Sequence, residues 1–170
     1  IEKDENIFQL KKSIILKNVY YNYPETSASV LKNINLNIPA YSTVGIIGET
    51  GSGKSTLVDI ILCLLTPEKG TLEIDNKIMN KYNKRNWQNS IGFVPQQIFL
   101  TDETIAQNIA FGIEPSKINQ KKVENAAKLA NLDDFVNNEL PLKYETTIGE
   151  RGIRLSGGQR QRIGIARALY

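Results

Sequence analysis

The chain has 170 residues, of which 41% are apolar and 23% charged, and its formal net charge is +3 at pH 7. These values predict one globular domain with a core, and the small, scattered excess of basic residues does not indicate the positive groove of a nucleic-acid-binding protein. The absence of histidine excludes histidine-based catalysis, and the single cysteine, Cys63, stands in an apolar run that indicates a core position in a reducing compartment.

The first part of the chain predicts antiparallel strands. Residues 1–12 are charged and polar, which is typical of a linker, and we expect the folded domain to span residues 13–170. Residues 14–36 are rich in Val, Ile and Tyr around a turn at Pro24–Ser27, and residues 71–78 have a hairpin pattern around Asn76–Lys77. Together these segments predict a β lobe.

A glycine-rich turn follows between a predicted strand and a predicted helix. Residues 43–47 are expected to form a short buried strand and residues 54–65 a helix. Glycine permits positive φ, so the turn can point successive N–H groups at an anion, and the helix N-terminus and Lys54 add positive charge for the β- and γ-phosphates of a nucleotide. Ser55 offers a hydroxyl to Mg²⁺. The candidate nucleotide-binding residues here are Gly48, Glu49, Thr50, Gly51, Ser52, Gly53, Lys54, Ser55 and Thr56. The plainer alternative, a turn that only caps a helix, is disfavoured by the full G-x-x-x-x-G-K-S spacing.

The remaining elements divide between a core and a helical lobe. Residues 91–96 are predicted to form a second strand, which would join residues 43–65 in a parallel α/β core. Residues 103–139 have helical periodicity, with one helix capped by Ser116. The apolar face of that helix is predicted to comprise Val123, Ala126, Ala127 and Ala130. We therefore expect the β lobe and core in residues 13–100 and the helical lobe in residues 101–170.

A second candidate anion site lies at Leu155–Gln159, in the order LSGGQ. Ser156 can cap the helix that follows, and Gly157 and Gly158 leave the backbone open to approach. The helix is predicted to bury one face, which includes Ile163, Ala166 and Tyr170. Taken alone, this segment could be an ordinary cap beside a turn.

With both motifs present, residues 14–170 resemble the nucleotide-binding domain of ATP-binding cassette (ABC) transporters. The resemblance implies an α/β fold, in which a P-loop NTPase core is flanked by an antiparallel β lobe and a helical lobe. It also implies that the domain binds ATP with Mg²⁺. It also implies a head-to-tail pair, expected to be a homodimer, in which the glycine-rich turn of one domain and Ser156, Gly157, Gly158 and Gln159 of the other close on the same ATP.

The resemblance implies roles for two further residues. Tyr23, the last aromatic of the stretch VYYNYP, matches the residue that stacks on adenine. Gln96 matches the residue that contacts Mg²⁺ or the attacking water, so the catalytic candidates are Gln96 and Lys54 and the metal-binding candidates are Ser55 and Gln96. Gln97 remains an alternative to Gln96, because pattern alone does not separate neighbours.

Two segments are similar to exporter-type members of the family. They are residues 104–112 and residues 147–152, and the second implies that Glu150 and Arg151 contact a membrane domain, as Gln96 would. The alternative for Glu150 and Arg151 is a solvated charged turn.

The resemblance therefore implies a domain that hydrolyses ATP to move an amphiphilic or lipid-linked substrate, peptide or drug across a membrane, at the cytoplasmic face of the cell inner membrane. The alternatives are a soluble cassette ATPase of DNA repair, chromosome organisation or translation, and a regulatory cassette that binds ATP without hydrolysis. The sequence stops where family members continue into the Walker B strand and the catalytic glutamate, so we expect a fragment that lacks this glutamate.

Overall fold

The computed structural model describes residues 9–24, 29–149 and 155–170. The chain divides into two compact units, Ile1–Ile91 and Gly92–Tyr170. Each is described separately below.

The first unit is built on a four-stranded antiparallel sheet. Its strands are β1 (Ser13–Tyr21), β2 (Leu31–Pro39), β3 (Lys69–Ile74) and β4 (Lys77–Ile78), arranged in the order β2-β1-β3-β4. Ile14 of β1 pairs with Ile38 on one side and Ile74 on the other, which brings apolar side chains together across the sheet. The predicted β lobe is therefore confirmed.

The hairpin turn of β3 and β4 lies one residue earlier than the sequence pattern indicated. Ile74 pairs with Lys77, so the two turn residues are Asp75 and Asn76, at φ 51° and 66°. A tight hairpin turn has positive φ at its two central residues. Asp and Asn tolerate positive φ better than Lys does.

Two helices pack with this sheet: α1 (Lys54–Ile61) and α2 (Lys84–Gln88). The predicted helix over residues 54–65 ends earlier, because Cys63 takes the left-handed conformation at φ 55° that terminates helices. Cys63 is buried as predicted, and this burial raises the pKa of its thiol. The core of the unit comprises Ile14, Leu16, Val19, Tyr21, Leu31, Ile60, Cys63, Leu72, Ile74 and Trp87.

The two predicted strands of a parallel core are absent, and this expectation was wrong. Residues 43–47 and 91–96 have no strand assignment, and the side chain of Ile47 is 95% exposed. A strand is stabilised by a neighbour that pairs with its N–H and C=O groups, and neither segment belongs to the sheet of the described residues. Their apolar composition was correctly read, but composition alone does not supply a pairing partner.

The second unit is helical, as predicted. It contains α3 (Ile105–Ile109), α4 (Gln120–Leu129), α5 (Asp133–Glu139) and α6 (Gly157–Leu169), with short 3₁₀ turns at Pro115–Lys117 and Lys143–Glu145. The apolar face predicted for α4 is buried, and so are Ile163 and Ala166 of α6, with Tyr170 packed against the same core. The cap of α4 is Asn119, whose side chain accepts from the Lys122 N–H, whereas Ser116 lies in the preceding 3₁₀ turn.

A buried amide joins three parts of the second unit. Asn108 of α3 is fully buried, and its side chain accepts from the Thr101 N–H and donates to the carbonyls of Thr101 and Thr104 at 3.0–3.1 Å. Arg167 of α6 donates to the carbonyls of Asn108 and Phe99 at 2.9 Å. The backbone between residues 99 and 108 is therefore tied to α6.

Candidate nucleotide-binding site

The glycine-rich turn ends in a backbone conformation that only glycine takes easily. Gly51 and Gly53 have φ of 83° and 88°. Gly53 is the N-cap of α1, and a Cβ at this position would lie 2.9 Å from Leu31 Cδ2 and 3.1 Å from the Val30 carbonyl oxygen. Because glycine has no side chain to cap the helix, the first-turn N–H groups of α1 are left for another acceptor.

Lys54 holds its ammonium group over the turn itself. Its Nζ donates to the carbonyl oxygens of Gly48 at 2.9 Å and Glu49 at 2.6 Å. A Cβ on Gly48 would lie 2.8 Å from Ser52 Oγ, so a side chain at this position would have to displace the Ser52 hydroxyl. The turn thus combines backbone N–H donors with one full positive charge, and the first turn of α1 carries no acidic residue. This donor set fits the phosphates of a nucleotide.

Tyr23 and Thr56 link the end of β1 to the first turn of α1. The Tyr23 hydroxyl and Thr56 Oγ1 are 3.1 Å apart, and Thr56 is buried. The ring of Tyr23 is 39% exposed and meets Tyr21 edge to face, with ring centroids 5.1 Å apart. Tyr23 lies just beyond β1 rather than in a strand. The structure therefore brings this predicted adenine-stacking residue next to the turn.

The hydroxyls of α1 differ in what they are able to bind. Thr56 is engaged with Tyr23, whereas Ser55 is exposed on the same turn beside Lys54. Hydroxyl oxygen is a suitable ligand for Mg²⁺. Ser55 is therefore the residue of this turn that fits a metal ion bound with phosphate.

The second motif forms a capped helix start in the other unit. Ser156 is the N-cap of α6, and its Oγ accepts from the Gln159 N–H at 3.2 Å while Gln159 Oε1 accepts from the Ser156 N–H at 2.7 Å. This reciprocal capping box confirms the predicted cap. The Ser156 hydroxyl still has its own proton to donate.

The glycines of α6 have different surroundings. A Cβ on Gly164 would lie 2.5 Å from Ile98 Cδ1, so packing within the unit accounts for that glycine. A Cβ on Gly157 would come no closer than 4.0 Å to Arg160, and among the described residues nothing lies within 4 Å of one on Gly158. Contacts within the described chain do not account for glycine at residues 157 and 158.

Gln96 and Gln97, the two alternative candidates, are both exposed and line the same surface cavity. This cavity has a volume of about 410 Å³ and is also lined by Ile98, Gly157, Arg160 and Gln161. Gln96 therefore lies near the start of α6, but the structure does not separate the two glutamines. Glu150 and Arg151 lie outside the described residues.

Sequence reasoning missed two groups of residues that support these motifs. Trp87 and Gln88 donate to carbonyls at the C-terminal end of α1, and Asn108 with Arg167 ties α3 to α6. The one tryptophan of the chain, standing in the polar stretch NKRNWQN, was a signal that could have drawn attention to the first group.

Comparison with known proteins identifies the family. The family described as "ABC transporter" matches residues 31–170. The chain is 44% identical over 161 residues to the ATP-binding cassette sub-family B member 5 of Mus musculus, covering 94% of this chain and 13% of that protein. It is 37% identical over 171 residues to the ATP-dependent lipid A-core flippase of Escherichia coli K12, covering 99% of this chain and 29% of the flippase. The chain belongs to the ABC transporter family.

A solved structure agrees with this assignment. The structure of a bacterial Atm1-family ABC exporter with ATP bound matches with a TM-score of 0.83 and 34% identity, covering 94% of this chain and 27% of that one. The fold is therefore that of an ABC ATPase, and relatives of the chain include exporter-type transporters. The chain spans between 13% and 29% of the length of these relatives. In the described ranges, every helix is too short or too polar to cross a bilayer.

Proposed function

We propose that this chain binds ATP with Mg²⁺ and powers an exporter-type ABC transporter. The observation that carries the proposal is the cradle at residues 48–56, where Lys54 Nζ lies 2.6–2.9 Å from the carbonyls of the turn and the helix start beside it has no capping side chain. When ATP binds, a phosphate would accept hydrogen bonds from the Lys54 ammonium group and from the first-turn N–H groups of α1.

Each residue of the cradle has a distinct task in this proposal. The backbone N–H groups of residues 48–56 hold the phosphates, Lys54 neutralises their charge, and Tyr23 stacks on the adenine ring. Ser55 and Gln96 would hold Mg²⁺, which supplies positive charge to the phosphates when it is bound. Gln96 also orients the attacking water.

The second motif serves a partner in this proposal. Gly157 and Gly158 have no neighbour within the described chain that requires their small size, and Ser156 is an exposed residue. These features suit a surface that closes on the ATP of a second copy of the chain. A head-to-tail homodimer would then need Ser156 and Gln159 from one copy and Lys54 from the other.

The transport role rests on the relatives. A flippase and exporters are among them, so we propose an amphiphilic or lipid-linked substrate and a location at the cytoplasmic face of the cell inner membrane. Gln96 and the region of Glu150 and Arg151 would contact the membrane domain.

We also propose that residues 1–170 alone bind ATP without turning it over at a measurable rate. Hydrolysis needs a carboxylate that positions or deprotonates water and a second one that holds Mg²⁺. The nearest acids to the cradle in sequence are Glu49, an exposed loop residue, and Asp59, a half-buried residue of α1. We propose that neither acts as a general base.

Titrating ATP into matched variants tests the proposed function. Lys54→Ala removes the one basic side chain of the cradle, so we expect ATP binding to weaken by about 1.5–3 kcal/mol. Lys81→Ala is the control, because it removes an exposed charge that belongs to the same unit but not to the cradle. This variant should bind ATP with the affinity of the unaltered chain. Calorimetry measures both dissociation constants. Equal affinities for the unaltered chain and Lys54→Ala would contradict the proposal.

A further inference from the structure

The C-terminal end of α1 has carbonyl groups that need partners from outside the helix. The last four carbonyls of any helix have none within it. Three of them accept, at 2.9 Å each, from backbone N–H groups just beyond the helix: Val58 from Leu62, Ile60 from Cys63, and Asp59 from Leu64. The fourth, at Ile61, has to be served by another part of the molecule.

Two side chains of α2 serve this end. Trp87 Nε1 donates to the Ile61 carbonyl at 2.8 Å, and Gln88 Nε2 donates to the carbonyls of Leu62 at 3.2 Å and Cys63 at 3.1 Å. Backbone and side chains thus complete the hydrogen bonding of the helix end. Donors at this end also face the negative pole of the helix dipole.

The short helix α2 is itself fixed to the sheet. Asn83, the residue before it, donates to the Ile78 carbonyl of β4 at 2.9 Å and accepts from the Asn80 N–H at 2.8 Å. Trp87 is buried in the core of this unit. Hydrogen bonds therefore lead from β4 through α2 to the helix that begins at the cradle.

We propose that Trp87 and Gln88 are positioning residues for nucleotide binding, which hold α1 from its C-terminal end and so direct the phosphate-binding N–H groups at its other end. The inference rests on the proposed function. A helix of this length is a rigid rod of about 12 Å, so rotation at one end moves the donors at the other. Neither side chain touches the nucleotide, and both act through α1.

Trp87 permits an isosteric test because it is the single tryptophan of the chain. Residue-specific incorporation of benzothienylalanine replaces the indole N–H with sulfur and changes little else. Loss of one hydrogen bond that orients the donors should raise the dissociation constant for ATP about three- to ten-fold, with unchanged stoichiometry. Stoichiometry reports the folded fraction, so a purely structural role would lower it and leave the affinity of folded molecules unchanged.

Two controls accompany the measurement. 7-Azatryptophan keeps the N–H at the same place and should restore the affinity of the unaltered chain. Ile14→Val loosens the same core from β1, so it should lower the melting temperature without changing ATP affinity.

The outcomes separate this inference from the proposed function. If the unaltered chain does not bind ATP, or if its affinity for ATP is no higher than that of Lys54→Ala, the proposed function is wrong. If the unaltered chain binds and the benzothienylalanine chain binds equally well, the positioning role is overturned. Should that chain fail to fold, Gln88→Met decides: a comparable rise in the dissociation constant supports the inference, and an unchanged constant overturns it.

Discussion

The helices α1 and α6 both begin at glycine-rich motifs, but their first turns differ in what they leave open. Gly53 starts α1 with φ 88° and offers no side chain, whereas Ser156 starts α6 and forms a closed capping box with Gln159. The cradle therefore combines a helix start without a capping side chain and a lysine, a donor set that fits a phosphate group. The start of α6 has part of its own hydrogen bonding completed and presents a hydroxyl and two bare glycines.

We propose that this difference gives the two motifs separate tasks. The cradle needs its glycines for its own backbone geometry, because φ and neighbouring atoms exclude a side chain at Gly53. The glycines at 157 and 158 have open space around them within the described chain, so we propose that their small size serves a partner that approaches from outside. Substituting glycine in each motif tests that distinction.

The largest effect is expected at the cradle. Gly53→Ala places a Cβ at φ 88°, about 3 Å from Leu31 and Val30, so the turn has to rearrange. We expect a loss of about 1–3 kcal/mol in the free energy of unfolding and weaker ATP binding. Chemical denaturation and calorimetry measure the two quantities. Gly112→Ala, at φ 82° with open surroundings among the described residues, is the control that carries the backbone strain without the collision.

The opposite sign is expected at α6. Gly158→Ala adds a methyl group in open space and removes backbone freedom from the unfolded chain, so it should raise the free energy of unfolding by about 0.5 kcal/mol. The same methyl group should weaken ATP-driven pairing of two copies, because it fills the surface that a partner's ATP would approach. Denaturation and sedimentation with ATP measure these effects. A destabilised single chain, or unchanged pairing, would remove the distinction between the motifs.

The smallest effect is expected at Asp75, where consecutive backbone N–H groups bind a carboxylate of the same chain. The Asp75 carboxylate accepts from the N–H groups of Lys11, Lys12 and Ser13 at 2.6–3.1 Å. Desolvation raises the pKa of Asp75, but these N–H groups and the Lys12 charge outweigh it and hold the pKa below the ordinary 3.8. A lowered pKa contributes stability that is present above the unfolded value and is lost as pH falls through the folded value.

Stability should therefore decrease below about pH 4, and Asp75→Asn should remove that part of the decrease. The cost of Asp75→Asn at pH 7 should be below about 0.5 kcal/mol, because the site is partly exposed to solvent. Denaturation curves between pH 3 and pH 7 compare the two chains, with Asp102→Asn as a control at an exposed carboxylate. Parallel curves for all three would contradict the role of the N–H groups.

Local patterns predicted much of this molecule because their causes are local. The capping box at Ser156 depends on residues three apart, and the buried face of α4 depends on helical spacing, so both could be predicted from the sequence. The strand expected at residues 43–47 could not, because a strand depends on a partner that local composition does not specify. The same holds for Trp87 and Ile61, which are 26 residues apart in sequence.

The starts of the helices show the same limit at a finer scale. The spacing of Gly48, Gly53 and Lys54 predicts a glycine-rich turn before a helix, and the structure has that turn at the start of α1. The cap of α4 was assigned to Ser116 because serine commonly caps helices, but Asn119 lies at the residue where the helix begins. Which of several capping residues is used depends on where the chain turns, and distant packing decides that.

The most direct test of the account mixes two inactive variants. Lys54→Ala damages the cradle, and Ser156→Phe blocks the motif at α6 and leaves the residues of the cradle unchanged. Neither variant alone should form an ATP-dependent pair. A head-to-tail pair of one copy of each contains one intact site, made of Lys54 from one chain and Ser156 from the other. We therefore predict that sedimentation of the mixture with ATP yields mixed pairs holding one ATP, whereas a mixture that stays unpaired, or Ser156→Phe chains that pair by themselves, would contradict the account.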